Sequence, residues 1–146
     1  MSILSAELIR LRASAADKQD AIRQAGALLV AGGRVLPEYV EGMLAREQSM
    51  STCLGNGVAI PHGIFENRGH ILATGISVLQ LAEAVPWDEG ETVRLVIGIA
   101  ASADEHVGVL ANLAEAIEDE ARLGELLATE DPQAVVKILG ATHETA

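Results

Sequence analysis

Aromatic residues are nearly absent from this chain of 146 residues, which contains one Phe, one Tyr and one Trp. The hydrophobic core must therefore be built from Leu, Ile, Val and Ala. Basic residues are also few, since 10 Lys and Arg stand against 21 Asp and Glu and leave a formal net charge of −11. A chain of this charge repels nucleic acid and anionic membranes, and it lacks the aromatic side chains on which bases stack. A basic protein surface is a better electrostatic match.

Cysteine is represented only by Cys53, which excludes an internal disulfide and is typical of a protein from the reducing cytoplasm. No apolar run approaches the roughly 20 residues that cross a bilayer. The N-terminus lacks the long apolar block of a signal peptide. We therefore expect a cytoplasmic protein without direct membrane insertion. Its length suits one domain with a sizeable core, and the sequence shows neither a repeat nor a linker.

Helical and extended patterns follow one another in an order that predicts a sheet with helices packed on it, as one domain. Asp17 and Asp131 occupy cap positions, and Gly32 with Gly33 ends the first helix. Trp87 falls in the loop between the two strands, as a surface anchor or a local packing residue. The predicted helices cover 17–30, 37–48, 103–120, 121–130 and 132–140, the predicted strands cover 72–81 and 92–101, and 51–61 is glycine-broken and partly extended.

Two of the four histidines stand in positions that favour chemistry. The segment 58–63, VAIPHG, places His62 directly after a short apolar run, between a proline and a glycine. His106 falls where the second predicted strand gives way to a helix that Asp104 is placed to cap, and free N–H groups at such a helix start hold anions. His70 and His143 lack this context, and we expect both to face solvent.

Several familiar site motifs are missing. Cys53 has no CxxC partner and HExxH is absent, so a metal site is not expected, and Cys53 is interpreted as a small core residue. GxSxG, GxGxxG and GxxxxGK[ST] are absent as well. What remains is an imidazole nucleophile at an accessible turn, which suits phosphoryl transfer because a ring with a pKa of about 6.5 is largely neutral at pH 7. Arg46, a second imidazole or backbone N–H groups are the candidate donors to the phosphoryl oxygens.

The stretch TCLGNGVAIPHG around His62 resembles the active-site segment of enzyme IIA domains of the bacterial sugar phosphotransferase system, in the mannitol/fructose class. The stretch KQDAIRQAGALLVAGGRVLPEYVEGMLAREQ is similar to the first two helices of mannitol-specific enzymes IIA, and LATGISVLQLAEAVPW and VRLVIGIAASADEHVGVLANLAEAIEDE continue the same order. The resemblance covers roughly residues 17–140. The sequence departs from it at Ile64 and Phe65 after the PHG and at Gly108 in the helix after His106.

The resemblance implies a fold, a set of site residues and two partners. The fold is a single three-layer α/β/α domain, here residues 1–146, with a small mixed sheet between helices. His62 corresponds to the histidine that takes a phosphoryl group from HPr on Nε2 and passes it to enzyme IIB. His106 matches the second active-site histidine, which contacts the phosphoryl group, and Arg46 matches the arginine near the site. Neither a metal nor an organic cofactor is implied.

Three functions remain open at this point. The first is a phosphohistidine carrier that serves mannitol or fructose uptake. The second is a nitrogen-related regulatory enzyme IIA, a subfamily that also shows GNGVAIPHG. The third is a binding domain that has lost phosphotransfer, which the presence of both His62 and His106 disfavours. The stretch RLVIGIAA followed by EHVGVLANLAEAI favours the first, and the end of the chain at residue 146 without a linker favours a free-standing enzyme IIA.

Overall fold

The computed structural model describes residues 3–63, 69–88, 90–101 and 103–140, without the side chains of residues 103–107 and 110. In chain order the elements are a 3-10 turn (Ala6–Leu8), β1 (Ile9–Ala13), α1 (Lys18–Ala31), α2 (Glu38–Ser49), β2 (Cys53–Gly55), β3 (Val58–Ala59), β4 (Gly75–Pro86), β5 (Thr92–Ala100), α3 (Ala103–Glu118), α4 (Glu120–Ala128), α5 (Pro132–Val135) and a π-helical turn (Val136–Gly140).

The five strands form one mixed sheet in the order β1-β4-β5-β3-β2. β1 is parallel to β4 and β3 is parallel to β5, whereas β4–β5 and β2–β3 are antiparallel. β4 and β5 are the long central strands, and their side chains are mostly buried because both faces of the sheet are covered. The small mixed sheet that the sequence resemblance implied is confirmed.

Helices cover the two faces of this sheet, as two polar side chains of β4 demonstrate. The Ser77 hydroxyl donates a hydrogen bond to the Ala25 carbonyl of α1 at 2.7 Å. The Gln80 amide donates to the carbonyls of Leu126, at the end of α4, and Thr129, both at 2.9 Å. Because an odd and an even residue of a strand point to opposite faces, α1 and α4 lie on opposite sides of the sheet. This confirms the three-layer α/β/α arrangement.

The predicted helix ends are confirmed where capping residues set them. The Asp17 carboxylate accepts from the Asp20 N–H at 2.8 Å, and Asp131 accepts from the Gln133 N–H at 3.0 Å. α1 ends at Ala31 with Gly32 as its C-cap, and Gly33 follows with φ of 73°, a conformation that glycine adopts without steric cost. An unpredicted cap divides the C-terminal helical stretch, because Asp119 accepts from the first N–H groups of α4.

The sequence patterns missed one strand and misplaced another. β1 carries two arginines between partly buried and buried apolar residues, a short alternation at the edge of the sheet. β4 begins at Gly75 instead of residue 72 and continues to Pro86 through the segment 82–86 that we interpreted as loop. Ala and Glu are poor strand formers, but pairing of Val85 with Val93 continues the strand beyond an irregularity in the ladder. The final helix is also shorter than predicted and ends in a π-helical turn.

Candidate active site

His62 lies at the carboxyl end of the parallel pair formed by β3 and β5. Val58 pairs with Leu95 and Ala59 pairs with Val96, and the bridge between His62 and Ile99 keeps the same register. The Ile99 N–H donates to the Pro61 carbonyl at 3.0 Å, which ties the residue before His62 to the centre of the sheet. The carboxyl ends of strands are where open α/β sheets bind ligands.

The imidazole of His62 is half-buried and oriented by the backbone. Its Nδ1 lies 2.9 Å from the Ile60 carbonyl oxygen, which only accepts hydrogen bonds, so Nδ1 carries the ring proton. In this tautomer the lone pair is on Nε2. Nucleophilic attack by Nε2 of His62 stays a prediction.

The surroundings of His62 lower the pKa of its ring below the usual value. Burial makes the largest contribution, and the positive charge of Arg46 acts in the same direction. The hydrogen bond to Ile60 and the negative charge of Glu47 oppose this shift. The net result keeps the imidazole neutral at physiological pH, and only the neutral ring has a lone pair with which to attack an electrophile.

Arg46 lies in the last turn of α2, and its charge is near enough to His62 to influence the pKa of the ring. Its Nη1 donates to the Met50 carbonyl oxygen at 2.6 Å, which holds the guanidinium against the chain that leaves the helix. Contact between Arg46 and a phosphoryl group stays a prediction.

His106 is the fourth residue of α3, and its side chain lies outside the described part of the structure. α3 begins three residues after the end of β5. Three residues span at most about 11 Å, so the helix start is close to the strand end beside which His62 lies. Asp104 lies within the first turn of α3 and not at its cap, contrary to the sequence expectation. A direct role of His106 at the site stays a prediction.

Sequence reasoning missed two buried residues of α2 that support the site. The Tyr39 hydroxyl lies between the Ile99 carbonyl, to which it donates at 2.7 Å, and the Gly63 N–H, from which it accepts at 2.9 Å. The Glu47 carboxylate, 5% exposed, accepts hydrogen bonds from both the N–H and the hydroxyl of Thr52 and from the Trp87 indole. The sequence could have indicated the role of Tyr39, because its hydroxyl lies on the apolar face of a predicted helix. A hydroxyl that is buried there requires a hydrogen-bond partner.

The other two histidines, the cysteine and the tryptophan are not assigned to the site. His70 is half-buried with its Nδ1 enclosed, so the expectation that it faces solvent is wrong, and His143 lies outside the described residues. Cys53 is half-buried, and burial raises its pKa; the hydrogen bond with Gly55 opposes this shift, and nearby carboxylates led by Glu91 add to it, so the sulfur remains a thiol at neutral pH. Trp87 is 6% exposed, which supports local packing over a surface anchor.

Neither a metal cluster nor a membrane span is found in the described part of the chain. Residues 3–63, 69–88, 90–101 and 103–140 contain no group of three His, Cys, Asp or Glu side chains placed to hold a metal ion. Over the same residues, every helix is too short or too polar to cross a bilayer. The expectation that the protein works without metal or cofactor stays a prediction.

Comparison with known sequences places the chain in a family. Residues 2–141 match the phosphoenolpyruvate-dependent sugar phosphotransferase system EIIA 2 family. The chain belongs to this family. It is 43% identical over 143 residues to the mannitol-specific phosphotransferase enzyme IIA component of Halalkalibacterium halodurans, and the match covers 98% of both chains.

Longer relatives also contain this unit. The multiphosphoryl transfer protein of Xanthomonas campestris pv. campestris is 50% identical over 133 residues, which are 91% of this chain but 16% of that protein. The chain therefore spans only a small part of such relatives.

Solved structures of two related proteins differ in their similarity to this chain. The complex of enzyme IIAMtl and phosphorylated enzyme IIBMtl from Escherichia coli contains a chain with a TM-score of 0.88 and 42% identity, covering 94% of this chain and 97% of that one. The nitrogen regulatory protein IIA-Ntr from Neisseria meningitidis has a TM-score of 0.81 and 29% identity, covering 94% and 96%. The chain is thus more similar to the mannitol protein than to the nitrogen-regulatory one.

Proposed function

We propose that Nε2 of His62 accepts a phosphoryl group from phospho-HPr and passes it to an enzyme IIB for the uptake of mannitol or fructose. In the first step the P–N bond of the donor phosphohistidine breaks as the Nε2–P bond forms, and the donor imidazole leaves. The observation that carries this proposal is the bond from Nδ1 of His62 to the Ile60 carbonyl, which commits the lone pair to Nε2.

The charges around His62 suit a transient phosphoryl carrier. The lowered pKa of the ring keeps the acceptor neutral, and the guanidinium of Arg46 supplies positive charge for the phosphoryl oxygens. His106, at the start of α3, is the second proposed donor to these oxygens. The three residues form the proposed site: His62 as the carrier, with Arg46 and His106 as stabilising groups.

The proposed partners follow from relatives and from charge. The E. coli enzyme IIA neighbour is in complex with phosphorylated enzyme IIB, which supports an enzyme IIB as the acceptor. HPr as the donor follows from the family role, and the net charge of −11 suits a basic donor surface. We propose that residues 1–146 act as one enzyme IIA domain in the cytoplasm.

The phosphorelay can be tested by reconstitution with labelled phosphoenolpyruvate, enzyme I and HPr. We expect an acid-labile, alkali-stable label on the protein that is lost in His62→Ala and retained in the matched control His70→Gln. Addition of the mannitol enzyme IIB should then remove the label. Label that persists on His62→Ala would contradict the proposal.

Complementation separates transport from regulation. A strain that lacks its mannitol enzyme IIA should regain growth on mannitol with this protein, but not with its His62→Ala variant. Normal phosphorylation without rescue on mannitol or fructose would favour the regulatory alternative, which the 29% identity to the nitrogen-regulatory protein keeps as the second candidate.

A further inference from the structure

The hydroxyl of Tyr39 joins the active-site turn to the centre of the sheet. Tyr39 lies in the first turn of α2, and its side chain crosses to the end of β5, where it is 3% exposed. The hydroxyl donates to the Ile99 carbonyl at 2.7 Å and accepts from the Gly63 N–H at 2.9 Å. In a regular parallel sheet the Gly63 N–H would donate directly to the Ile99 carbonyl. Here the Tyr39 hydroxyl lies between these two groups and hydrogen-bonds to both.

Ile99 holds the residues on both sides of His62. Its N–H donates to the Pro61 carbonyl at 3.0 Å, and its carbonyl reaches the Gly63 N–H through the Tyr39 hydroxyl. The bond on the Pro61 side is direct, whereas the bond on the Gly63 side depends on one side-chain oxygen. Removal of that oxygen would leave a half-buried N–H and a buried carbonyl without this partner, and it would release the backbone that follows His62.

We propose that Tyr39 is a positioning residue for phosphoryl transfer, whose hydroxyl fixes the backbone of His62 so that Nε2 meets the incoming phosphorus in line. This inference rests on the proposed function of His62 as the phosphoryl acceptor. Attack requires the reacting atoms to lie about 3–3.5 Å apart in alignment, and a displacement of about 1 Å costs up to about 100-fold in rate. Fixing the backbone on both sides of the histidine limits such displacement.

The bridge requires a protonated hydroxyl, because a phenolate cannot donate to the Ile99 carbonyl. Burial raises the pKa of Tyr39, and the hydrogen bond from Gly63 only partly opposes this shift. The native hydroxyl therefore remains a donor throughout the physiological pH range.

The first test compares Tyr39→Phe with a matched control. Tyr39→Phe removes only the hydroxyl of a helix residue that reaches the sheet, and Ser77→Ala removes a buried hydroxyl of β4, which donates to the Ala25 carbonyl of α1. Both variants should unfold at a lower denaturant concentration. In single-turnover phosphorylation by phospho-HPr, we expect Tyr39→Phe to be about 10–100-fold slower and Ser77→Ala to stay near the wild-type rate. A wild-type rate in Tyr39→Phe would overturn the inference.

The second test keeps the hydroxyl and changes its acidity. Tyr39 is the only tyrosine, so biosynthetic 3,5-difluorotyrosine replaces this residue alone. As the more acidic phenol ionises with rising pH, the rate of His62 phosphorylation should fall, while the unsubstituted protein shows no such fall over the same range. The 19F signal should also shift on phosphorylation. Identical pH profiles with no 19F shift would contradict the positioning role.

These outcomes are distinguishable from failure of the proposed function. If wild-type protein is phosphorylated on His62 while Tyr39→Phe and the fluorinated protein behave like it, only the role of Tyr39 is wrong. If wild-type protein does not take up the label on His62, the proposed function itself is wrong.

Discussion

At the scale of single residues, two neighbours on α2 act on His62 with opposite sign. The positive charge of Arg46 lowers the pKa of the imidazole, and the negative charge of Glu47 raises it. Burial is the larger influence and sets the net direction, so the ring loses its proton more readily than a free histidine. The pair provides a test of the electrostatics of the site.

Arg46→Gln should raise the pKa of His62, and Glu47→Gln should lower it, because each substitution removes one of two opposing charges. An NMR titration of the His62 ring would measure both shifts, with Arg122→Gln on the exposed surface of α4 as a control that leaves the titration unchanged. The acid limb of the phosphorylation rate should move to higher pH in Arg46→Gln, since protonated imidazole is not nucleophilic. Shifts of the same sign in both variants would contradict this description.

His106→Ala should slow phosphoryl transfer to enzyme IIB while His62 still becomes phosphorylated. The physical reason is the loss of a donor to the phosphoryl oxygens, an effect typically worth about 2.7–4 kcal/mol in other enzymes. Single-turnover transfer from the phosphorylated variant measures this effect directly. If transfer proceeds at the wild-type rate, His106 is an ordinary residue of the first turn of α3.

The sequence indicated His62 and Arg46 as site residues, but it did not indicate the hydrogen bonds that hold His62 in place. A histidine between proline and glycine is a local pattern in the sequence, whereas the resemblance to enzymes IIA singles out Arg46 from other helix-terminal arginines. The contacts of Tyr39 with Ile99 and Gly63 span 60 and 24 residues along the chain, so only the folded sheet reveals them. The bond from Nδ1 to Ile60 is local, but it depends on a ring orientation that residue order does not specify.

At the scale of elements, β4 and β5 pack so closely that Gly98 of β5 has no room for a side chain beside Ser77 of β4. A Cβ built on Gly98 would lie 2.6 Å from the Ser77 hydroxyl oxygen of the paired strand. Leu29 of α1 and Met43 of α2 lie 3.4 Å away, at ordinary contact distance. The absence of a side chain at Gly98 therefore leaves room for the Ser77 hydroxyl of the neighbouring strand.

Gly98→Ala should destabilise the protein by about 1–3 kcal/mol, because the added methyl group overpacks the core. Adding Ser77→Ala should recover part of this loss, so that the double variant costs less than the sum of the single variants. Gly124→Ala in α4 is the control, since nothing lies within 4 Å of its Cβ and alanine favours a helix by about 0.5–1 kcal/mol. Denaturant unfolding measures the free energy of unfolding of the two single variants, the double variant and the Gly124→Ala control, each against the wild-type protein. Strict additivity would show that Ser77 is not the source of the clash.

Elements with strong local signals were predictable, and elements that depend on distant partners were not. Asp17 and Asp131 cap helices through bonds to residues two or three positions away, and such caps can be read from sequence. β1 and the end of β4 are strands because of their pairing partners, β4 and β5 respectively. Their Arg-, Ala- and Glu-containing sequences carry weak strand preference of their own.

At the scale of the whole molecule, the chain carries a formal net charge of −11. The field of such a charge attracts a positively charged partner and raises the rate of encounter more than the final affinity. This attraction favours a fast encounter with the HPr donor that we propose.

Association with HPr should slow as salt increases toward about 1 M, where the screening length falls to about 3 Å. Stopped-flow measurement of association and dissociation separates the two rates, and dissociation is expected to change less. Sucrose at matched viscosity is the control for slower diffusion. An association rate that does not depend on salt would assign the acidic charge to solubility alone.

The most direct test of the account is the imidazole 15N NMR spectrum of the labelled protein before and after phosphorylation by enzyme I and HPr. The account predicts that the signals of one histidine, His62, change their pattern. Its Nε2 should become phosphorylated while Nδ1 keeps its proton against the Ile60 carbonyl. A phosphoryl group on Nδ1 of His62, or on any other histidine, would contradict the central claim.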